Sequence, residues 1–424
     1  MTDLSGAEAA ALACIDEAAI GRLLLELLAI PSITGSGAES DLQHLLAARL
    51  QRLGLDVDLW SMDLDKLALD PDFPGTEAAR DEAWGLVADL PGAADGPSLI
   101  LQGHVDVVPP GDLSQWVTGP FEPRVDAAAI VYGRGTCDMK AGLVANLAAM
   151  SAIRASGIRL GGRLSMHCVV SEEDGGLGAF GTMRRGHLAD ACIITEPTSG
   201  TLTTANAGAL TFSIRVPGSA THGSTRYAGT SAVDAYLPIH RALTDLERRR
   251  NAQVDPLMAE YPTAYCLSVG MIRAGDWASS VPDLLVAEGR LGVALDEDLA
   301  TARDQFERCV AEACQQDPWL RDHPATVSWS GGQFASGRLQ ADHPLRDLVR
   351  GCHHELVGRS PMRERGAPYG SDLRIYAAAG VPTLHYGPGD VRTAHSPREQ
   401  VALKDVVEVA RTLTLTVLRA LGTR

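Results

Sequence analysis

The 424-residue chain predicts an α/β fold: a mostly parallel central sheet with helices on both faces, interrupted by an inserted α+β domain. Three observations predict it. Continuous apolar runs such as SLILQGHVDVV and DACIITEP alternate with stretches of helical periodicity, the pattern of a sheet covered on both faces. Near residue 206 the strand-like segments change to a period of two. After about residue 332 the first pattern resumes, so one domain is interrupted by another.

In chain order, IGRLLLELLAI reads as an amphipathic helix ended by Pro31, and ESDLQHLLAARLQRLG as a second with a glycine stop. LDVDLW alternates like a strand. Residues 61–95 are rich in Asp, Pro and Gly and read as an irregular excursion. SLILQGHVDVV, RLSMHCVVSEED and DACIITEP read as buried strands that end in polar or acidic residues. MKAGLVANLAAMSAIRASG is a helix with small residues on its face. In the inserted part LTFSIRVPG, AYCLSVGMIRAG, LLVAEGRLGVAL and ATVSWSGG are strands. SAVDAYLPIHRALTDLERRR and LATARDQFERCVAEACQQ are helices, giving the order βαββαβ of a compact α+β unit. HPLRDLVRGCHHELVG is helical, PTLHYGPGD is a strand and turn, and KDVVEVARTLTLTVLRALG is the final helix. The domains are placed at 1–206 with 331–424, and at 207–330.

The apolar fraction of 45% is ordinary for a globular protein. A formal net charge of −16 argues against nucleic acid or an anionic membrane as partner. MTDLSGAEAAALACIDEAAIG lacks a basic region ahead of an apolar core, so no signal peptide is read there. No run of 18 uninterrupted apolar residues indicates a membrane helix. The eight cysteines show no CxxC, and most lie in apolar runs, which predicts reduced, buried thiols. Together these predict a cytoplasmic enzyme.

Acids and histidines gather at the strand ends. In GHVDVV, His104 and Asp106 are two apart on a strand and share a face. A histidine ligand needs its other ring nitrogen held by an acceptor, which a neighbouring carboxylate can supply. The bland reading is a polar pair at a strand end. Asp138, in GRGTCDMKAG, stands in a glycine-flanked turn before a helix, where its two oxygens can bridge two cations or cap the helix. Glu172 and Glu173, in SEEDGG, end a very apolar strand. Two adjacent carboxylates repel unless a cation lies between them or one is protonated. One can therefore bind metal while the other moves a proton. Glu196 in ITEP ends the next strand, and His395 in TAHSPREQ offers a ligand from a late loop. Oxygen and nitrogen ligands without thiolates suit Zn²⁺, with Co²⁺ or Mn²⁺ as substitutes. Cys137 is given no catalytic role. His353 and His354 are read as surface residues on a helix, and His385 as a core histidine.

On these stretches, together with LLELLAIPSITGSG, ATHGSTRYAGTSAVD, SSVPDLLVAEGRLG and GVPTLHYGPGD, the chain resembles the di-zinc aminoacylase metallopeptidase family. That family includes acetylornithine deacetylase, succinyl-diaminopimelate desuccinylase, aminoacylase and carboxypeptidase G. The resemblance implies that His104 and Glu196 hold one zinc, Glu173 and His395 the other, and Asp138 both. It implies that Asp106 orients His104, that Glu172 is the general acid/base, and that the peptide after Asp138 is cis. It identifies 207–330 with a lid and dimerisation domain, from which His222 reaches the other subunit's site. Arg290 would pair with the substrate carboxylate, and residues around Gly370 would contact substrate backbone. Ser280 stands where the family often has Asn, and GAPYGSDLR where many members carry Gly-Thr-Asp or Thr-Ser-Asp. Both departures fall where substrate is recognised.

The expected activity is amide hydrolysis of a small N-acyl amino acid by a water held between two metals, in a homodimer. A dipeptidase or carboxypeptidase uses the same chemistry with a different pocket. A non-catalytic metal-binding homologue would be expected to have lost a ligand or the base, and none is lost here.

Overall fold

The structure is a computed structural model that describes residues 4–93, 95–358 and 362–424. The first three residues of the acidic N-terminal stretch lie outside the described residues. The chain divides into two compact units. The first comprises Met1–Ala205, Arg338–Arg365 and Asp372–Arg424, and the second Asn206–Gly337 with Gly366–Ser371.

The first unit is built on a sheet whose central strands run parallel. Ser98–His104 pairs in parallel with Arg163–Val169 on one side and Ala191–Ile194 on the other. Thr383–His385 adds in parallel to Ala191–Ile194. Asp56–Ser61 and Trp84–Leu90 extend the other side antiparallel. The apolar runs serve both faces. Leu99 and Leu101 join a core with the helices Glu17–Leu28, Gly37–Arg52, Ala141–Ala155 and Leu403–Leu421, while Ile100 joins another with Phe180, Met183 and Tyr376. A strand buried on both sides has no polar alternation, which is why these runs are continuously apolar.

The region read as an irregular excursion is only partly irregular. It contains the short helix Leu64–Ala68 and the buried strand Trp84–Leu90. That strand escaped the sequence reading because Gly85, Ala88 and Asp89 are poor strand formers and an acidic, Pro/Gly-rich stretch precedes it.

The second unit has the expected βαββαβ order. Its strands Gly208–Pro217, Leu267–Ala274, Leu284–Val293 and Thr326–Phe334 form an antiparallel sheet with Leu267–Ala274 at one edge. Here alternation matters. Leu210, Phe212, Ile214 and Val216 turn inward against Ile239, Leu243, Phe306 and Val310 of the helices Ala232–Arg250 and Leu299–Gln316. The segment Gly366–Ser371, placed by sequence with the first domain, belongs to this unit: Ala207 donates to the Ala367 carbonyl, and Gly370 abuts Phe334.

Candidate metal centre

Because Ser98–His104, Arg163–Val169 and Ala191–Ile194 are parallel, their carboxyl ends share one rim of the sheet. His104 closes the first strand. The second runs into Ser171, whose positive φ of 62° turns the chain before Glu172 and Glu173. Glu196 follows two residues after the third strand. Asp138 lies in the turn Thr136–Lys140, directly ahead of helix Ala141–Ala155, and its peptide bond to Met139 is cis. His395 follows the short turn Val391–Thr393 with a φ of 58°. Non-glycine residues at positive φ are uncommon and gather at functional sites.

Five of the predicted side chains converge. His104 Nε2 is 3.2 Å from Asp138 Oδ1 and 3.6 Å from Glu196 Oε1. His395 Nε2 is 3.3 Å from Asp138 Oδ2 and 3.1 Å from Glu173 Oε2. The result is two histidine–carboxylate groups sharing Asp138, one through each oxygen. Within each group the candidate ligand atoms lie within 4.8 Å of one another.

The donor set fits two divalent cations. It offers imidazole nitrogens and carboxylate oxygens without thiolate, the chemistry that zinc, cobalt and manganese accept. Glu173 Oε1 is buried and has no hydrogen-bond partner among the described residues. Burial, followed by repulsion from Glu196 and Asp372, holds the Glu172 carboxyl well above the usual range. Burial raises Glu196 likewise, against the pull of His104. Burial opposes a charged His395, yet its bonds to Asp138 and Glu173 push it up to about 11. So many acids gathered at one rim need positive charge, from protons or from metal.

Asp106 supports both His104 and the acidic turn. His104 Nδ1 lies 2.9 Å from the Asp106 backbone carbonyl and 3.6 Å from its carboxylate. The carboxylate also accepts the backbone N–H groups of Glu172 and Glu173, each at 3.2 Å, and the Thr34 hydroxyl at 3.0 Å. Asp106 therefore holds the ring through main chain and the acidic turn through side chain.

Glu399 was not singled out by sequence, although it lies four residues after His395. It is 1% exposed, and its Oε1 accepts the N–H groups of Cys137 at 3.1 Å and Asp138 at 3.2 Å. Its other oxygen pairs with the buried Arg134. The only signal in the sequence was an acid and an arginine within the two motifs that carry candidate ligands. Lys140 is fully buried and donates to the carbonyls of Leu27 and Ile30, which fixes the base of the Asp138 turn.

The remaining candidates lie in the second unit. His222 is exposed, its Nδ1 2.7 Å from Ser224 Oγ, and it forms an isolated bridge with Ser280. Arg290 donates to the Pro368 carbonyl at 3.2 Å and forms no ion pair among the described residues. A Cβ on Gly370 would lie 2.5 Å from Phe334, so close packing accounts for a glycine there. Of the bland readings, His385 is buried as expected and Cys137 is buried beside Asp390 and Thr393. His353 is not a surface residue: it is 7% exposed, with Nδ1 2.8 Å from the Tyr386 hydroxyl, because the helix turns that face onto the core.

Residues 100–419 match the peptidase family M20/M25/M40. The N-formyl-4-amino-5-aminomethyl-2-methylpyrimidine deformylase of Halalkalibacterium halodurans is 29% identical over 398 residues, covering 88% of this chain and 87% of the relative. The succinyl-diaminopimelate desuccinylase of Gluconacetobacter diazotrophicus is 29% identical over 379 residues, covering 86% and 88%. The solved structure of a dinuclear metal-binding peptidase from Bacillus subtilis superposes with a TM-score of 0.64 at 16% identity, covering 96% of this chain and 99% of that one.

Proposed function

Since the chain belongs to the peptidase family M20/M25/M40 and is a hydrolase of that family, we propose that it is a di-zinc amidohydrolase that removes the acyl group from small N-acyl amino acids. One observation carries the reading: the two oxygens of Asp138 face two separate histidine–carboxylate groups. Kinship supports removal of an acyl group. The two relatives at 29% identity are named as a deformylase and a desuccinylase, and both names describe removal of an acyl group.

His104 and Glu196 would hold one ion, Glu173 and His395 the other, and Asp138 both. Zinc suits this set, with cobalt or manganese as substitutes. When bound, such ions supply Lewis acidity and acidify water. Glu172 takes a proton from the attacking water and returns it to the departing amine nitrogen. Its carboxyl, raised by burial and by Glu196 and Asp372, favours keeping a proton once it has accepted one. Asp106 holds Glu172 in place through its backbone N–H. His222 of the partner subunit donates to the scissile carbonyl oxygen. Arg290, which has no internal carboxylate partner among the described residues, receives the substrate carboxylate in a forked contact. Ser280 and Gly370 border the substrate.

The homodimer would form through the second unit. Its edge strand Leu267–Ala274 exposes Met271 and Ile272, and an open edge invites a second copy. A cytoplasmic setting agrees with eight cysteines that are all free. Among the described residues, no helix is long and apolar enough to cross a membrane.

The test is release of amine from a panel of N-acyl amino acids and dipeptides, with and without chelator. The expected outcome is cleavage of N-acyl amino acids, lost with chelator and restored by zinc. Cleavage of dipeptides alone would move the protein to the dipeptidase reading. No cleavage of any member by zinc-loaded protein would sink the proposal.

A further inference from the structure

Residues 71–80, PDFPGTEAAR, carry no helical or strand periodicity, and no helix or strand forms between Ala68 and Trp84. Yet this stretch is fastened at several points. Asp70 and Asp72 each pair with Arg184 at 2.8 Å, and Phe73 meets Phe180 edge-on at 5.9 Å. Beyond them the chain crosses the turn that carries Glu172 and Glu173. Asp174 Oδ2 accepts the N–H groups of Glu77 at 3.1 Å and Ala78 at 2.8 Å. Arg80 reaches Asp174 at 3.4 Å and Glu39 at 3.2 Å. Glu39 in turn accepts the N–H groups of Ser171 at 3.2 Å and Gly35 at 2.7 Å. Next to Gly35 stands Thr34, whose hydroxyl donates to Asp106.

The main chains are also in close contact. Gly175 has a φ of +152°, and a Cβ there would lie 2.0 Å from the Gly75 carbonyl oxygen. A Cβ on Gly35 would lie 2.7 Å from the Ala79 carbonyl oxygen. The stretch is thus pressed between two loops that both reach Asp106. The side chains of Arg80, Asp174 and Glu39 are 5%, 7% and 4% exposed. A surface loop has no need to bury an arginine between two acids of neighbouring segments, since a buried ionisable group costs several kcal/mol unless partnered. These three satisfy one another only while the stretch and both loops are in place.

We propose that residues 70–80 are a strap that positions Glu172 and Glu173, with Arg80 as the positioning residue at its centre. Arg80 joins the two carboxylates that hold the loops, so the acidic turn stays where Asp106 can grip its N–H groups. The kinetic half of this inference rests on the hydrolase reading; the structural half does not.

Hydrogen exchange and kinetics on the zinc-loaded full chain test both halves. In Arg80→Met, exchange across 171–176 is expected to rise about tenfold or more while strand Ser98–His104 keeps its protection. The same variant is expected to lose about 10- to 100-fold in kcat with KM within about twofold, and Arg80→Lys to recover most of both. A folded Arg80→Met with wild-type exchange at 171–176 overturns the strap. Faster exchange there with unchanged kcat overturns its positioning role. If Arg80→Met does not fold, the triple variant Glu39→Gln, Arg80→Met, Asp174→Asn removes the buried charges together and is read by the same two measurements. Wild-type protein that cleaves no amide would count against the proposed function, and exchange at 171–176 would still decide the strap.

Discussion

Single side chains have separable tasks at this rim. Asp138 is shared by both candidate ligand groups, whereas Glu172 belongs to neither. Glu172→Ala should therefore keep two metals per chain and lose about 10²- to 10⁴-fold in rate, the usual contribution of a general acid/base. Metal analysis alongside kinetics checks both halves, and wild-type turnover would remove Glu172 from the mechanism. Asp138→Ala should empty both sites; two metals per chain in that variant would exclude a shared carboxylate. Glu399 acts one layer out. Glu399→Gln keeps the shape but removes the charge opposite Arg134. Metal affinity should drop about 10- to 100-fold, as for other outer-layer partners of ligands. Titration calorimetry reads this directly, and an unchanged affinity would leave Glu399 a purely structural residue.

At the scale of elements, the central strands carry buried polar residues as well as candidate ligands. His385, at the end of Thr383–His385, is fully buried, and burial pushes its pKa down from 6.5 to about 3. The unfolded chain binds a proton at this histidine below about 6.5, and the folded chain only near 3. Stability is therefore fully present above 6.5 and is lost as pH falls through that window, by at most about 1.4 kcal/mol per pH unit. Thermal melts of His385→Gln should show a shallower acid slope than wild type. An identical slope would clear His385 of any part in acid sensitivity. The strands that hold these residues were legible as apolar runs. Trp84–Leu90 was not, because its glycine and aspartate mask a segment that only sheet pairing on both sides makes a strand.

For the whole molecule, the proposed contribution of His222 to a second subunit has a direct consequence. Glu172→Ala and His222→Ala should each be inactive alone. Mixed and re-equilibrated, they should regain about a quarter of wild-type activity, since random pairing leaves one intact site in half of the dimers. Sedimentation should show the dimer, and no recovery from a mixed dimer would place His222 outside a shared site.

The sequence determined the sheet, the βαββαβ order and the acids and histidines at the strand ends, because hydrophobic periodicity and local motifs are written within a few residues. It did not determine which contact holds each of them. Glu399 reaches the Asp138 amide across 261 positions, and Asp174 reaches Ala78 across 96. The Asp106 carboxylate, 3.6 Å from His104, also accepts the amides of Glu172 and Glu173 because a folded turn brought those donors to it. Buried polar groups take whatever partner the packed chain delivers, and only the tertiary structure decides which partner that is.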